Sequence, residues 1–198
     1  MKLIFVRHGK THFNELDIKQ GWCDSPLSKT GEKQVASTAL QLKDYPITKA
    51  YSSPLGRAIQ TAKAMLVYHD LPLQLDDRLK EINFGKFEGI TCKLVDTFHL
   101  ESPDWLTSHN MDYTAYEGGH IKDVIKAHKD FVEEMIKESN EEDILLITGH
   151  GCSLSAYIRS ILPEDQEFTF MENAGAVIID YNDGNFNLEK TISPKTGM

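Results

Sequence analysis

Two short apolar runs limit the choice of fold for this chain more than any other feature. Leu3–Val6 and Ile144–Thr148 are nearly uninterrupted hydrophobic stretches bounded by polar residues, which is the pattern of parallel strands buried on both faces. Helical apolar spacing appears in residues 29–42, after Ser28 as a candidate N-cap, and again in residues 121–136. Strands that alternate with helices predict an α/β fold built on a mainly parallel sheet.

Shorter patterns complete this architecture. They predict three more strands and two more helices: Ala50–Ser52, Leu73–Leu75 and Ala176–Tyr181, then Pro54 to about Tyr68 and Gly151 to about Leu162. The Asn-Asp-Gly-Asn run at residues 182–185 is a hairpin turn signal. We therefore expect a three-layer sandwich, with helices on both faces of the sheet and an antiparallel hairpin at one edge.

Residues 81–120 interrupt the alternation of strands and helices. They contain Pro103 and several glycines, together with aromatic residues that include Phe98, Trp105, Tyr113 and Tyr116. We interpret residues 90–120, approximately, as a small lid insertion within a single domain that spans residues 1–198.

Charge and composition exclude several classes of function. The 198 residues include 21 basic and 30 acidic side chains, for a formal net charge of −9. This balance disfavours a broad nucleic-acid or membrane surface. The three cysteines lack metal-type spacing, the first apolar run is too short for a signal peptide, and no run could span a membrane. We expect a cytoplasmic protein with neither a nucleic-acid nor a membrane partner.

Arginines and histidines follow directly on the predicted strands. Arg7 and His8 come after the first strand, Arg57 lies shortly after the second, and His150 precedes the helix that opens at Gly151. The carboxyl ends of parallel strands share one edge of a sheet, so these residues should meet there. Arginine and a helix N-terminus both bind phosphate oxygens, and histidine can be a nucleophile. The pattern predicts a phosphoryl-transfer pocket whose positive charge comes from the protein rather than from a metal.

Four segments in a fixed order carry a family resemblance. Residues 7–14 (RHGKTHFN), followed by residues 20–31 (QGWCDSPLSKTG), resemble the R-H-G-x-T-x-x-N signature of the histidine phosphatase superfamily, the phosphoglycerate-mutase-like proteins. Residues 51–62 (YSSPLGRAIQTA), 78–89 (RLKEINFGKFEG) and 148–151 (TGHG) resemble its later segments. The resemblance extends from residue 2 to about residue 181.

The resemblance implies a role for each matched residue. It makes His8 the nucleophile, Glu81 the acid for the leaving group, and three side chains the phosphate ligands: Arg7, Arg57 and His150. It places four further residues at the substrate: Asn14, Gln20, Gly21 and Gly151. The chemistry agrees, because burial beside a dianionic phosphate favours a protonated carboxyl group. We also expect His8, at the edge of the domain, to lie outside the core.

The chain departs from the family pattern at two places and offers one rival acid. Lys10 stands where the family often has glutamate, and residues 118–121 (GGHI) stand where many members have G-G-E-S. These differences concern lid contacts and substrate choice rather than the phosphate pocket. Glu88 is a second carboxylate on the same segment as Glu81.

Metal and cysteine chemistry have weaker support. His8 and His12 are four residues apart, but no HExxH motif and no third spaced ligand accompany them. Arg159 follows Cys152 by seven residues rather than the six that a cysteine-dependent phosphatase needs. We therefore expect no catalytic metal and no cofactor.

Three functions fit these residues: a phosphatase for small phosphomonoesters, a cofactor-dependent phosphoglycerate mutase, and a phosphate-ligand binder without turnover. The resemblance implies extra basic residues in the insertion of a mutase, yet Lys93 is the only lysine between Gly89 and Ile121, and no arginine occurs there. An aromatic insertion suits an organic leaving group better than a second phosphate. We predict a metal-independent phosphatase that acts on small-molecule phosphomonoesters, and leave open whether it forms a homodimer.

Overall fold

The computed structural model of the chain describes residues 1–195, in which six strands form one sheet. The strands are β1 (Lys2–Arg7), β2 (Lys49–Ser52), β3 (Leu73–Leu75), β4 (Ile144–Gly149), β5 (Ala176–Asn182) and β6 (Asn185–Ile192). Their order across the sheet is β3-β2-β4-β1-β5-β6. The first four in that order are parallel, whereas β5 is antiparallel to β1 and β6 is antiparallel to β5. The predicted α/β fold with a mainly parallel sheet and an antiparallel edge hairpin is confirmed.

Helices cover both faces of this sheet. The helices of the described residues are α1 (His12–Glu15), α2 (Lys29–Leu42), α3 (Gly56–Met65), α4 (Cys92–Val95), α5 (Trp105–Ser108), α6 (Ile121–Lys137) and α7 (Gly151–Ile161). Of these, α2 and α3 pack on one face of the sheet, and α6 and α7 pack on the other. Ser28 caps α2 as predicted, since its hydroxyl accepts the Gly31 N–H at 3.2 Å. The helix predicted from Pro54 begins later, at Gly56, because Leu55 is still extended; a 3₁₀ turn then continues it from Leu66 to Tyr68.

Alternate residues of each central strand face two separate cores. In β1, Leu3 and Phe5 pack with residues of α6 and α7, while Ile4 and Val6 pack with residues of α2 and α3. Successive side chains of a strand point to opposite faces, so a strand that is apolar at every position needs helices on both sides. This packing produces the predicted three layers.

The edge hairpin turns where the sequence predicts it. Asp183 and Gly184 have φ values of 48° and 84°, and positive φ at both central residues is the geometry of a type I′ turn.

Among the described residues, no helix is both long enough and apolar enough to cross a membrane.

Residues 85–120 fold into short helical turns around a small core that they share with Ile121 of α6 and Ala156 of α7. Phe84, Phe87, Met111 and Tyr113 are buried there. Phe98, Tyr113 and Tyr116 pack edge to face on Phe87, with ring centroids 4.9, 5.8 and 4.8 Å apart. Three of the four predicted aromatic residues therefore hold the segment together, and only Trp105 makes its ring contact outside this group.

Candidate active site

Strand register brings the predicted site residues to one edge of the sheet. Arg7 of β1 pairs with Gly149 of β4, and Ser52 of β2 pairs with Thr148. Just beyond the strands, the His8 N–H donates to the Gly149 carbonyl at 2.9 Å. The rings of His8 and His150 lie 5.3 Å apart, centroid to centroid. The predicted convergence at the carboxyl ends of the strands is found.

His8 is a buried, neutral imidazole with a defined tautomer. Its Nδ1 lies 2.8 Å from the Gly9 carbonyl, which can only accept, so Nδ1 carries the proton and Nε2 keeps its lone pair. Burial, followed by the charges of Arg57 and Arg7, lowers the pKa of His8 well below 6.5. An unprotonated Nε2 is what a histidine nucleophile requires.

The expectation that His8 lies outside the core was wrong, since its exposure is only 4%. The chain that leads into β5 runs back across the end of β1, where the Ala174 N–H donates to the His8 carbonyl at 3.0 Å. The Asn173 side chain donates to the same carbonyl at 3.3 Å. The segment that leads into β5 therefore covers His8, which explains its burial.

Both arginines are anchored through their terminal nitrogens. Arg57 donates from Nη1 to Asp24 at 2.9 Å and from Nη2 to the Gly21 carbonyl at 2.6 Å. Arg7 donates from Nη1 to the Met171 carbonyl at 2.6 Å. Within residues 1–195, the buried Nε atoms of both side chains have no hydrogen-bond partner. Two cations with unused N–H groups can satisfy the oxygens of an anion such as phosphate.

His150 is oriented by a serine. Its Nε2 shares a 2.7 Å hydrogen bond with the Ser53 hydroxyl, whose oxygen accepts the Leu55 N–H at 3.3 Å. When the hydroxyl donates to Nε2, the ring proton lies on Nδ1. That Nδ1 is buried and has no partner in the described part of the chain, so in this tautomer it is a further free donor.

The two carboxylates of residues 78–89 differ in their surroundings. Glu81 is buried at the N-terminus of α7 and accepts the N–H groups of Cys152 and Ser153 at 2.9 and 2.8 Å. Burial raises the pKa of Glu81 above 4.5, although these N–H groups favour the charged form.

Glu88 instead holds the loop after α1. Its oxygens accept four backbone N–H groups at 2.8 to 3.1 Å, those of Gly21, Trp22, Cys23 and Phe84. With every strong acceptor direction used by backbone donors, Glu88 is a structural carboxylate. This geometry favours Glu81 over Glu88 as the acid.

The remaining predicted residues lie at the same edge, and they differ in how many of their polar groups already have protein partners. Asn14 accepts from Asn173 at 3.3 Å, and Gln20 accepts from the Thr11 hydroxyl at 2.7 Å. Both polar groups of Gly21 are used, its N–H by Glu88 and its carbonyl by Arg57. Gly21 thus anchors Arg57, and its predicted contact with substrate stays a prediction.

Gly151 has no room for a side chain. A methyl group on its α-carbon would lie 2.9 Å from Arg7 Cζ and 2.8 Å from Phe170 Cζ. The close approach places the first turn of α7 directly against the guanidinium of Arg7. An anion held by Arg7 then also lies next to the positive end of a helix.

Sequence reasoning missed two residues of this edge, Ser53 and Phe170. Ser53 lies inside a matched segment, so its position one residue after β2 was a usable signal. The Phe170 ring stacks on Arg7, whose Cζ lies 4.9 Å from the ring centroid. Residues 163–175 have no periodicity or motif that would single Phe170 out.

Cysteine nucleophiles have no support in this geometry. Burial, with the Glu81 carboxylate beside it, raises the pKa of Cys152 well above 9.0, and burial raises the pKa of Cys23 to about 12. Both thiols stay protonated near neutral pH, whereas thiolates are the reactive form.

Residues 1–195 contain no group of three or more side chains placed to hold a metal ion.

Comparison with known proteins gives a family match and close structural relatives. The chain matches the family model of the histidine phosphatase superfamily (branch 1) over residues 3–193. It is 28% identical to "Probable phosphoglycerate mutase GpmB" of Escherichia coli O1:K1 over 165 residues, covering 82% of this chain and 75% of that protein.

Two solved structures show the same fold. A phosphoglycerate mutase from Bacillus anthracis has a TM-score of 0.83 and 28% identity, covering 96% of this chain and 91% of its own. A mycobacterial glucosyl-3-phosphoglycerate phosphatase in complex with VO3 has a TM-score of 0.83 at 24% identity, covering 95% of this chain and 96% of its own.

Proposed function

The chain belongs to the histidine phosphatase superfamily, and on that basis we propose that it is a phosphomonoesterase that works through a phosphohistidine on His8. The observation that carries this proposal is the state of His8. It is a neutral imidazole with a free Nε2, placed beside two arginines that keep unused Nε–H groups. This combination of nucleophile and anion site suits phosphoryl transfer.

In the first proposed step, His8 Nε2 attacks the phosphorus atom and the bond from phosphorus to the ester oxygen breaks. Arg7, Arg57, His150 Nδ1 and the Gly151 N–H hold the three remaining phosphoryl oxygens. Glu81, in its protonated form, donates its proton to the departing alkoxide. The products are the free alcohol and phosphohistidine, with the Glu81 carboxylate left charged.

In the second step, water attacks the phosphohistidine and the phosphorus–nitrogen bond breaks. The Glu81 carboxylate accepts the proton of this water and returns to its starting state. His8 is released as neutral imidazole with inorganic phosphate.

We further propose that residues 90–120 border the pocket as a lid within a single domain. The ion pair of Lys19 with Glu101 and the contact of Trp105 with Phe170 support this placement.

A phosphoglycerate mutase is the second candidate, because two relatives carry that name. A mutase must hold a second anionic group of its substrate. The one lysine of the insertion, Lys93, is exposed, and the ammonium group of Lys19 is already paired with Glu101. The described residues of the insertion therefore offer no second cation site, which favours hydrolysis over transfer.

Replacement of His8 tests the proposed nucleophile. We expect His8→Ala to abolish steady-state turnover and rapid-quench experiments on the unaltered protein to trap an acid-labile, base-stable phosphoryl group. His12→Ala, an exposed histidine four residues away, is the matched control and should keep its activity. Circular dichroism checks that both variants fold. Substantial turnover by a folded His8→Ala protein contradicts the proposal.

A second experiment separates the two candidate reactions. A panel of phosphomonoesters is assayed with and without 2,3-bisphosphoglycerate, and in excess chelator. We expect phosphate release that needs neither the bisphosphate nor a divalent ion and that vanadate inhibits. Interconversion of phosphoglycerates that depends on the bisphosphate would favour the mutase, and loss of activity in chelator would contradict metal independence.

A further inference from the structure

Phe170 is an exposed aromatic residue that is nevertheless held in a fixed place. Its side chain is 43% exposed, and single exposed apolar residues are common on protein surfaces. This ring, however, stacks on the guanidinium of Arg7 at 4.9 Å and touches the first turn of α7 at Gly151. Both of those neighbours belong to the proposed phosphate pocket.

The neighbouring residue fixes the backbone that carries this ring. The Met171 carbonyl accepts from Arg7 at 2.6 Å, and the Met171 N–H donates to the Ser155 hydroxyl at 3.1 Å. The Met171 side chain is itself buried in the core between the sheet and α7. Phe170 therefore does not need a ligand to be positioned, and little conformational freedom remains to be lost when a ligand packs on it.

Trp105 extends the apolar surface. Its ring lies edge to face with Phe170 at a centroid distance of 6.0 Å. Trp105 is the one aromatic residue of the insertion that does not belong to the ring group around Phe87. The two rings thus join the insertion to the phosphate site at Arg7.

We propose that Phe170 and Trp105 form an apolar subsite for the organic part of the substrate, so that the preferred phosphomonoesters carry a flat or aromatic group close to the ester oxygen. This inference rests on the proposed function for the identity of the ligand as a phosphate ester. A substrate phosphate bound at Arg7 and Gly151 puts the ester group within reach of a ring that touches both residues. An aromatic contact of this kind is worth roughly a three- to tenfold difference in affinity.

Binding of stable analogues tests the subsite independently of turnover. Benzylphosphonate and ethylphosphonate carry the same dianionic group and differ in the aromatic ring, and calorimetry gives the ratio of their Kd values. We expect the unaltered protein to bind benzylphosphonate roughly three- to tenfold more tightly than ethylphosphonate, and Phe170→Ala to bring the ratio of the two Kd values close to one. Phe170→Tyr, which keeps a ring, should retain the preference.

Phe98→Ala is the matched control. Phe98 is the same residue type, is 44% exposed, and packs only on Phe87 and Tyr116 in its aromatic contacts. It should leave the ratio unaltered. A preference that survives Phe170→Ala, or an equal loss of both phosphonates, overturns the subsite; the latter result would mean that Phe170 acts only through Arg7.

Hydrolysis of benzyl phosphate and ethyl phosphate separates this inference from the proposed function. The two alcohols have similar acidity, so their esters place similar demands on Glu81. If the phosphonates bind with the expected preference but neither ester is hydrolysed, the proposed function fails and the subsite stands. If both esters are hydrolysed with equal kcat/KM and the phosphonates bind equally, the subsite fails and the proposed function stands.

Discussion

Glu81 and Glu88 lie seven residues apart, but we expect the same substitution to have different main effects at the two positions. If Glu81 donates the proton, Glu81→Gln should lower kcat by about 10²–10⁴-fold on alkyl phosphates, whose alkoxides are poor leaving groups. The loss in the chemical step should be much smaller with p-nitrophenyl phosphate, since nitrophenolate needs no proton. Single-turnover rates with both substrates provide the measurement. Equal losses with both leaving groups would show that Glu81 is not an acid.

Glu88→Gln should act on stability rather than on chemistry. The new amide nitrogen would face backbone N–H groups that the carboxylate now accepts, at a cost of about 1–3 kcal/mol in the free energy of unfolding. Urea denaturation measures this cost. A leaving-group dependence in Glu88→Gln that is absent in Glu81→Gln would reverse the assignment of the acid.

The pH dependence of kcat/KM follows from the same two side chains as the chemistry. His8 must be neutral, and burial together with Arg57 and Arg7 lowers its pKa well below 6.5, so the acid limb should lie below pH 6.5. Glu81 must be protonated, and burial raises its pKa above 4.5, so the protonated acid persists above pH 4.5. We expect a bell-shaped profile with ethyl phosphate, in which the acid limb belongs to His8 and the alkaline limb to Glu81.

Glu81→Gln provides the comparison, because ionisation of the substrate affects both proteins alike. The variant should lose the part of the alkaline limb that belongs to Glu81. An alkaline limb that is identical in both proteins is incompatible with the proposed acid.

Much of the candidate site was predictable from sequence, because the residues that we propose as phosphate ligands follow strands within recognisable segments. His8, Arg57 and His150 all lie at the predicted edge of the sheet. The burial of His8 was not predictable, since it depends on Ala174 and Asn173, which are more than 160 residues away in the chain. Phe170 was missed for the same reason: a contact with Arg7 made across the sheet leaves no local pattern.

At the scale of elements, an ion pair joins the insertion to the loop that follows α1. The Lys19 ammonium group pairs with the Glu101 carboxylate, which also accepts from the Tyr113 hydroxyl. Lys19 also lies over the Phe84 ring at 4.8 Å. The side chains of Lys19 and Glu101 are 12% and 25% exposed, so loss of one partner leaves a poorly solvated charge behind.

Glu101→Gln should therefore lower the free energy of unfolding by about 2 kcal/mol, discounted for the partial exposure of the pair. Asp130→Asn is the control, because the Lys126–Asp130 pair spans one turn of α6 on the exposed surface. That change should cost less than about 0.5 kcal/mol. Chemical denaturation of both variants measures the difference, and equal costs would mean that the buried pair does not stabilise the insertion.

The strands and the long helices were predictable, whereas the short helical turns of the insertion were not. β1 and β4 extend the predicted runs by one residue at one or both ends, and Ser28 marks the start of α2 as expected. Inside the insertion, helical turns of three or four residues and the isolated bridge between Glu101 and Met111 are too short to produce periodicity. Of its aromatic residues, three pack on the ring of Phe87, and only Trp105 contacts Phe170.

For the whole molecule, a buried histidine on α6 should make stability depend on pH. His128 is fully buried, with its Nδ1 2.9 Å from the Val124 carbonyl and its ring against Tyr157. Burial lowers its pKa from 6.5 to about 4. Between these values the unfolded chain binds a proton that the folded protein does not. The contribution of the neutral, buried His128 to the free energy of unfolding is therefore fully present above pH 6.5. It falls by about 3 kcal/mol as the pH drops toward 4.

His128→Phe should reduce this dependence by up to one proton, about 1.4 kcal/mol per pH unit. His8 and His150, whose pKa values are lowered by burial, act in the same direction and remain in the variant. His99→Gln, at an exposed position, is the control and should leave the slope unaltered. Urea denaturation at intervals from pH 4.5 to 7.5 gives the slopes. Identical slopes in all three proteins would show that the pKa of His128 is the same in the folded and the unfolded chain.

The anchoring of Arg7 and Arg57 has a consequence for regulation by the product. Both guanidinium groups are fixed by protein carbonyls and a carboxylate, and their Nε atoms have no partner within residues 1–195. In the proposed mechanism these free donors bind the phosphoryl group rather than the alcohol it came from. Inorganic phosphate can satisfy these donors as fully as an ester can. If the proposed function holds, turnover should therefore slow wherever free phosphate accumulates, and the rate of the enzyme would report the local supply of phosphate.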